Sequence, residues 1–274
     1  MKEFIRTHKT FSFYTSLVLL VVLVAIFSPF LTPNDPFASD LANALKAPSE
    51  AHWFGTDKLG RDVLSRIIYG TGLSLFMGFT IVFLVASIGT VVGSLAGYFG
   101  GKVEMVLMRI CDIMISFPGI ILAIAIAGIM GGSVGNTILA LTIVGWAKYA
   151  RLVRSLVIKV RQEDYIAAAI MSGGTSAVIL RRHVLPNIMP LVVVTASMDF
   201  GVMMLEIAGL SFLGFGAQPP TPEWGLMLNE GRQYLQLAPW LMIFPGAAIL
   251  IVVSIFNLWS DSLRDILDPR QNRG

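Results

Sequence analysis

Six predominantly apolar stretches, at 12–31, 73–98, 107–130, 134–150, 190–212 and 240–260, recur along the chain with shorter polar segments between them. A run of about 20 apolar residues can cross a hydrocarbon core of about 30 Å as a helix, which satisfies its own backbone groups in lipid. The pattern therefore predicts an all-α, polytopic membrane protein with six transmembrane helices. The fourth stretch is short, and Trp146, Lys148, Tyr149 and Arg151 put its end at head-group level. The first is expected to be a retained anchor, because its apolar core exceeds that of a signal peptide and SPFLTPNDP is a poor cleavage site. Residues 1–72 read as this anchor plus an outer loop, and 73–274 as a five-helix core. The outer loop ends in HWFGTDKLGRDVLSRIIYG, whose Gly-Thr-Asp turn and amphipathic run predict a short helix packed on the outer face.

One segment breaks the apolar rhythm. Residues 165–187, YIAAAIMSGGTSAVILRRHVLPN, form a polar, Gly-punctuated, basic island. Arg161, Gln162, Glu163 and Asp164 precede it, with Asp164 placed to cap a helix and Gly173 and Gly174 placed to stop it. The expected element is a helix of about two to three turns with few bulky side chains at its tip, which a partner's groove could approach at backbone distance.

Composition agrees with a membrane setting: 55% of the 274 residues are hydrophobic and 14% charged, against about 25% charged in soluble domains. Lys and Arg then set the orientation. Lys2, Arg6 and Lys9 precede the first span, and Lys102 and Arg109 flank the start of the third. Arg151, Arg154, Lys159, Arg161, Arg181 and Arg182 lie between the fourth and fifth, and Arg264, Arg270 and Arg273 follow the sixth. Both termini and the island are thus expected on the cytoplasmic side. Lys46, Lys58, Arg61 and Arg66 in the outer loop run against this rule, offset by Asp35, Asp40, Glu50, Asp57 and Asp62. The net charge of +3 is this positive-inside signal and needs no nucleic-acid partner.

Catalytic chemistry is not legible. AGYFGGKV at 96–103 fails as a phosphate-binding loop, because Ala96 replaces its first Gly and Val103 its hydroxyl residue. His8, His52 and His183 are scattered, and the single Cys111 reads as a packing residue. Gly78, Ala86, Ser87, Gly89, Gly93 and Ser94 in the second span, and Ala123, Ala125, Ala127 and Gly128 in the third, suit close helix packing in lipid. Asp112 is expected to pack or cap near the start of the third span. Asp199 and Glu206 in the fifth span are charges that are costly to place there, and seven residues put them within about 20° on one helical face. Met203 lies on the same side; the three could line a translocation path, or Asp199 and Glu206 could instead pair with polar groups of a partner permease.

The island's spacing resembles the cytoplasmic loop of ABC importer permeases. The pattern E-A-A, three residues, G, nine residues, I-x-L-P falls on Ala167, Ala168, Ala169, then Gly173, then His183, Leu185 and Pro186, with Ala167 in place of Glu and His183 in place of Ile. GTDKLGRDVLSR at 55–66, AGYFGGKVEMVLMRICDIMISFP at 96–118, LSFLGFGAQPPTPEWGLMLNEGRQYL at 210–235 and SDSLRDILDPR at 260–270 extend the resemblance. Over nearly its whole length the chain resembles the second permease subunit of the dipeptide/oligopeptide/nickel ABC importers. That resemblance implies a bacterial inner-membrane permease paired with a second, homologous permease, two cytoplasmic ATPases and an extracytoplasmic substrate-binding protein. ATP and magnesium would be held by the ATPases and no cofactor by this chain. Residues 160–187 would then be the loop that couples hydrolysis to transport. The segments at 146–162 and 199–214 look more like the nickel-type members, so the expected cargo is nickel or another transition metal, free or as a small chelate, with peptides as the alternative. An ion-coupled secondary transporter is a further reading, against which stands the lack of an evident inverted repeat.

Overall fold

The computed structural model describes residues 9–267. Lys2, Arg6, His8, Arg270 and Arg273, with the end of the 260–270 segment, lie outside the described residues. The described residues form helices joined by loops, with an isolated bridge between Thr56 and Asp62. In chain order the helices are α1 (Lys9–Leu31), α2 (Val63–Phe99), α3 (Gly101–Ser116), α4 (Gly119–Met130), α5 (Val134–Arg161) and α6 (Asp164–Met171). They continue as α7 (Ser176–Phe212), α8 (Trp224–Gly231) and α9 (Trp240–Leu267).

Four of these, α1, α2, α7 and α9, are long and apolar enough to cross a membrane. The third predicted span is not one straight helix. It breaks into α3 and α4, bent by 88°, at Phe117–Pro118. Pro118 pushes the residue before it into extended backbone, and Phe117 duly has φ −95° and ψ 143°. The fourth predicted span lies in α5, which continues for 28 residues to Arg161. Lys148, Arg151, Arg154, Lys159 and Arg161 make its second half polar.

Helix α2 is the axis of the bundle. Its 37 residues extend for about 55 Å at 1.5 Å per residue, well beyond a hydrocarbon core of about 30 Å. It starts at Asp62, whose carboxylate accepts the Ser65 amide at 2.8 Å. The amphipathic run after Asp62 is therefore the first turns of α2 and not a separate helix; the outer loop's own helical turn is the 3₁₀ turn Leu41–Asn43, capped by Asp40.

Close packing along α2 uses the small residues read from the sequence. A Cβ on Gly89 would lie 2.2 Å from the Tyr149 Cβ, and one on Gly93 would lie 2.5 Å from the Ala150 carbonyl. One on Gly97 would lie 2.8 Å from the Arg154 carbonyl, so the whole α2–α5 seam closes at backbone distance. Further along, Gly78 meets Met204 and Phe200 of α7, and the Phe200 ring packs on that of Phe256 of α9 with centroids 4.1 Å apart and planes tilted by 32°. Cys111 is buried with Ala147 and Ala150 where α3 meets α5.

Candidate functional site: an elbow and a cap at opposite ends of α2

At one end of α2 the chain turns from α5 through α6 into α7. Glu163, extended at φ −74° and ψ 142°, occupies the cap position of α6, while Asp164 already belongs to its first turn. The expectation that Asp164 caps this helix is thus corrected by one residue. The other end of α6 closes as its glycines predict. Gly173 has φ +82°, its amide donates to the Ile170 carbonyl at 3.0 Å, and the Gly174 amide donates to the Ala169 carbonyl at 3.1 Å. No neighbour lies within 4 Å of where a Gly173 Cβ would be, so left-handed backbone and not crowding calls for glycine here.

The elbow has a buried side and a bare side. Ile166, Ile179, Val184 and Ile188 pack with Tyr98 of α2 and with Val153 and Val157 of α5. Ala167 and Ala168 are exposed, Ala169 and Leu185 are half-buried, and Pro186 is exposed. A π-helical turn at Leu180–Val184 precedes Pro186. Proline has no amide to donate and its ring crowds the carbonyl four residues back, which a wider turn relieves. The tip is bulkier than its alanines suggested: Ile170 is 50% and Met171 82% exposed. Ile170-Met171 carried that signal in the sequence, since two large apolar residues there lie outside every apolar span.

The carboxylates of α7 are brought to one locality. Asp199 and Glu206 are each half-buried, and Glu206 lies within electrostatic reach of both Asp199 and Lys148 of α5. The Tyr149 hydroxyl is turned toward Asp199 without hydrogen-bond geometry. Met203 does not join them. It is buried among Met77, Ile81 and Leu141, away from the half-open surface that the two acids share. Asp112 neither caps nor packs. It pairs with Arg151, and Glu104 accepts the Arg154 Nε at 2.7 Å, so two ion pairs join α3 to α5 beside an open hollow of about 540 Å³.

At the other end of α2, two sequence segments read separately fold into one cap. Arg61 donates through Nε to Asp57 at 2.6 Å and lies 3.3 Å from Glu230. Arg66 lies 3.0 Å from the same Glu230, and Lys58 3.4 Å from it. Both arginine side chains are 1% exposed. Asp62 takes His52 Nδ1 at 2.9 Å as well as the Ser65 hydroxyl at 2.7 Å. Glu223 caps α8 by accepting the Gly225 and Leu226 amides at 2.8 and 2.9 Å, and the Ser74 hydroxyl of α2 at 3.3 Å. Burial pushes the Glu223 carboxyl above the usual carboxylate range, against the opposing pull of those amides. Trp224 Nε1 donates to the Ile67 carbonyl at 3.0 Å, and Trp240 Nε1 to the Thr56 carbonyl at 3.2 Å. Gly60, at φ +77°, passes so near the Asp40 carbonyl that a Cβ would sit 1.8 Å from it. Two of the cations that ran against the charge rule are therefore neutralised inside the fold.

Among the described residues, no group of three or more His, Cys, Asp or Glu is arranged to hold a metal ion. The profile of the family described as binding-protein-dependent transport system inner membrane component matches residues 89–273. The chain is 47% identical to the dipeptide transport system permease protein DppC of Alkalihalophilus pseudofirmus, over 91% of this chain and 82% of that one. It is 46% identical to the glutathione transport system permease protein GsiD of Pectobacterium atrosepticum, over 92% and 84%. It is 42% identical to the nickel transport system permease protein NikC of Escherichia coli K12, over 92% and 91%. Its fold is similar to a chain of the MetNI methionine ABC transporter solved in inward-facing conformations, with TM-score 0.61 at 22% identity, covering 75% of this chain and 98% of that one. The chain belongs to the binding-protein-dependent inner-membrane components: it is a multi-pass permease subunit of an ABC importer, and ATP is hydrolysed in separate ATPase subunits.

Proposed function

We propose that residues 160–187 are the loop through which the ATPases drive this permease, with Ala167, Ala168, Ala169, Gly173, Leu185 and Pro186 as its coupling residues. The observation that carries this reading is the two-sided elbow. Its bare face of Ala167, Ala168, Ile170 and Met171 stands outside the apolar spans, while Ile166 and Ile179 knit its other face to α2 and α5. A force on the bare face would be passed through these contacts to α2 and α5. In this reading the chain makes six crossings with both termini in the cytoplasm, the bent α3–α4 pair and α5 supplying two of them. The elbow faces the cytoplasm, and the cap faces the substrate-binding protein. The assembly is two homologous permeases, two ATPases that hold ATP and magnesium, and one binding protein.

The cargo proposed is a short peptide. Asp199 and Glu206 offer negative charge on one half-open surface of α7, which suits the cationic amino terminus of a peptide. The relatives named for dipeptide and glutathione transport stand at 47% and 46% identity. A nickel or other transition-metal chelate is the second reading, supported by the same two carboxylates and by the relative named for nickel transport at 42% identity.

Uptake by the complete complex in proteoliposomes tests both. A labelled dipeptide accumulating with ATP, competed by unlabelled dipeptide and not by nickel, is the expected result, and Asp199→Asn with Glu206→Gln should lower it. Accumulation of labelled nickel without dipeptide competition would replace the first reading with the second.

A further inference from the structure

With a short peptide as cargo, the two acids of α7 account for its cationic end only. We infer, resting on that peptide reading, that Lys148 of α5 determines specificity at the other end: it takes the peptide's terminal carboxylate while the ammonium lies on Asp199, and Glu206 holds Lys148 in position.

Three observations point to a cargo carrying both charges. Lys148 is exposed near the middle of α5 (Val134–Arg161), within electrostatic reach of Glu206, which is likewise in reach of Asp199. Ionisable side chains inside a crossing are costly and mark a route for polar cargo. Second, none of these three groups makes a salt bridge among the described residues, whereas Arg151, the next cation along α5, is paired with Asp112. A gap therefore separates groups of opposite sign, and a zwitterion closes it. Seven residues put Asp199 and Glu206 about 10 Å apart along α7, and an extended dipeptide spans about 7 Å. An ammonium on Asp199 thus carries the carboxylate toward the Glu206 end, where Lys148 stands. Third, Tyr149 is 3% exposed, and its hydroxyl has no hydrogen-bond partner and is turned toward Asp199. A buried polar atom without a partner is rare, and this one is aimed at the carboxylate that receives the ammonium. Lys148 also repels a bare divalent cation from Glu206, an unfavourable contact of the kind that separates one cargo from another.

The test is ATP-driven uptake of labelled alanylalanine into proteoliposomes that hold the complete complex with its binding protein. Lys148→Met and Lys148→Gln, each in complexes that co-purify with all subunits, should lower uptake about tenfold, the loss of one charge-assisted hydrogen bond. Lys148→Arg keeps the charge and should retain about half of the parent's uptake or more. The double variant Lys148→Met/Glu206→Met removes both charges that face each other between α5 and α7, and so separates cargo binding from a merely structural attraction. Its uptake should stay as low as that of Lys148→Met. Uptake restored to the parent's level in the double variant shows that Lys148 serves Glu206 alone, which overturns the assignment and leaves the peptide reading standing. Unchanged uptake in both Lys148→Met and Lys148→Gln has the same meaning. A parent complex that accumulates no alanylalanine overturns the assignment and the peptide reading together.

Discussion

Arginine does opposite things at the two ends of α2. In the cap, Arg61 and Arg66 are 1% exposed and share Asp57 and Glu230 within 3.6 Å. In the elbow, Arg181 and Arg182 are exposed and make no salt bridge among the described residues, and Ile170 and Met171 are exposed too. One end is closed by ion pairs within the chain, and the other leaves its arginines exposed. The same residue type is therefore buried against carboxylates in one place and left exposed in the other, and the supply of partners within the fold decides which.

This contrast can be broken by substitutions of graded effect. Arg66→Ala would leave Glu230 and Asp57 buried with fewer partners. Removing one member of a buried pair costs about 3–5 kcal/mol, so thermal unfolding of the detergent-solubilised complex should fall sharply. A loss below about 1 kcal/mol would mean that the cap is not the interlocked body described. Gly93→Leu forces a side chain against the Ala150 carbonyl and the Val153 Cβ, at 2.5 and 2.7 Å from the first added carbon. Overpacking of this kind costs about 1–3 kcal/mol, and the same unfolding measurement should detect it.

Glu223 sharpens the cap's electrostatics. Glu223→Ala removes the α8 cap, at a cost of about 1 kcal/mol, whereas Glu223→Gln keeps an acceptor for the two amides. Because burial raises the folded-state pKa of Glu223, the protonated form is favoured by folding. Its contribution is most favourable below the unfolded value of about 4.3 and is lost as pH rises through the folded value. Glu223→Gln should therefore gain in melting temperature relative to the parent chain between pH 4.5 and pH 7, and a constant difference would contradict the burial argument. The smallest effect on stability is expected in the elbow. Met171→Ser, at a site 82% exposed, should change unfolding by no more than about 0.5 kcal/mol, yet it should lower ATP-driven uptake.

The elbow's outline was legible because its signals are local. An apolar rhythm interrupted at 165, a short Ala-rich turn and a glycine at 173 define a helix and its end without long-range information. The start of α2 was not read, although Asp62 stands directly before the run: that run is expected as a separate outer helix, and the fold joins it to the span from 73 as one helix. The cap was not legible as a unit, because Arg61 and Glu230 meet across 169 residues and no spacing rule reports that pairing. Their charges looked like an exception to the orientation rule only while they were counted as surface charges. The break between α3 and α4 was within reach: Phe117-Pro118-Gly119 carries both a restricted residue before proline and a glycine, inside a run whose hydropathy alone reads as one span. Met203 shows the limit of helical-wheel arithmetic. Its angular position beside Asp199 is right, but tertiary packing turns it into the core with Met77 and Ile81.

The central claim, that the elbow converts hydrolysis in the partner into movement of this chain, is tested by measuring ATP hydrolysis and cargo uptake together in proteoliposomes carrying Gly173→Val. Valine disfavours the φ of +82° at this position, and no neighbour within 4 Å would be displaced by its Cβ, so the complex should still assemble and bind its substrate-binding protein. Uptake at least about tenfold below the parent, with hydrolysis persisting, is the predicted result. Uptake equal to the parent's in a fully assembled Gly173→Val complex would contradict the account.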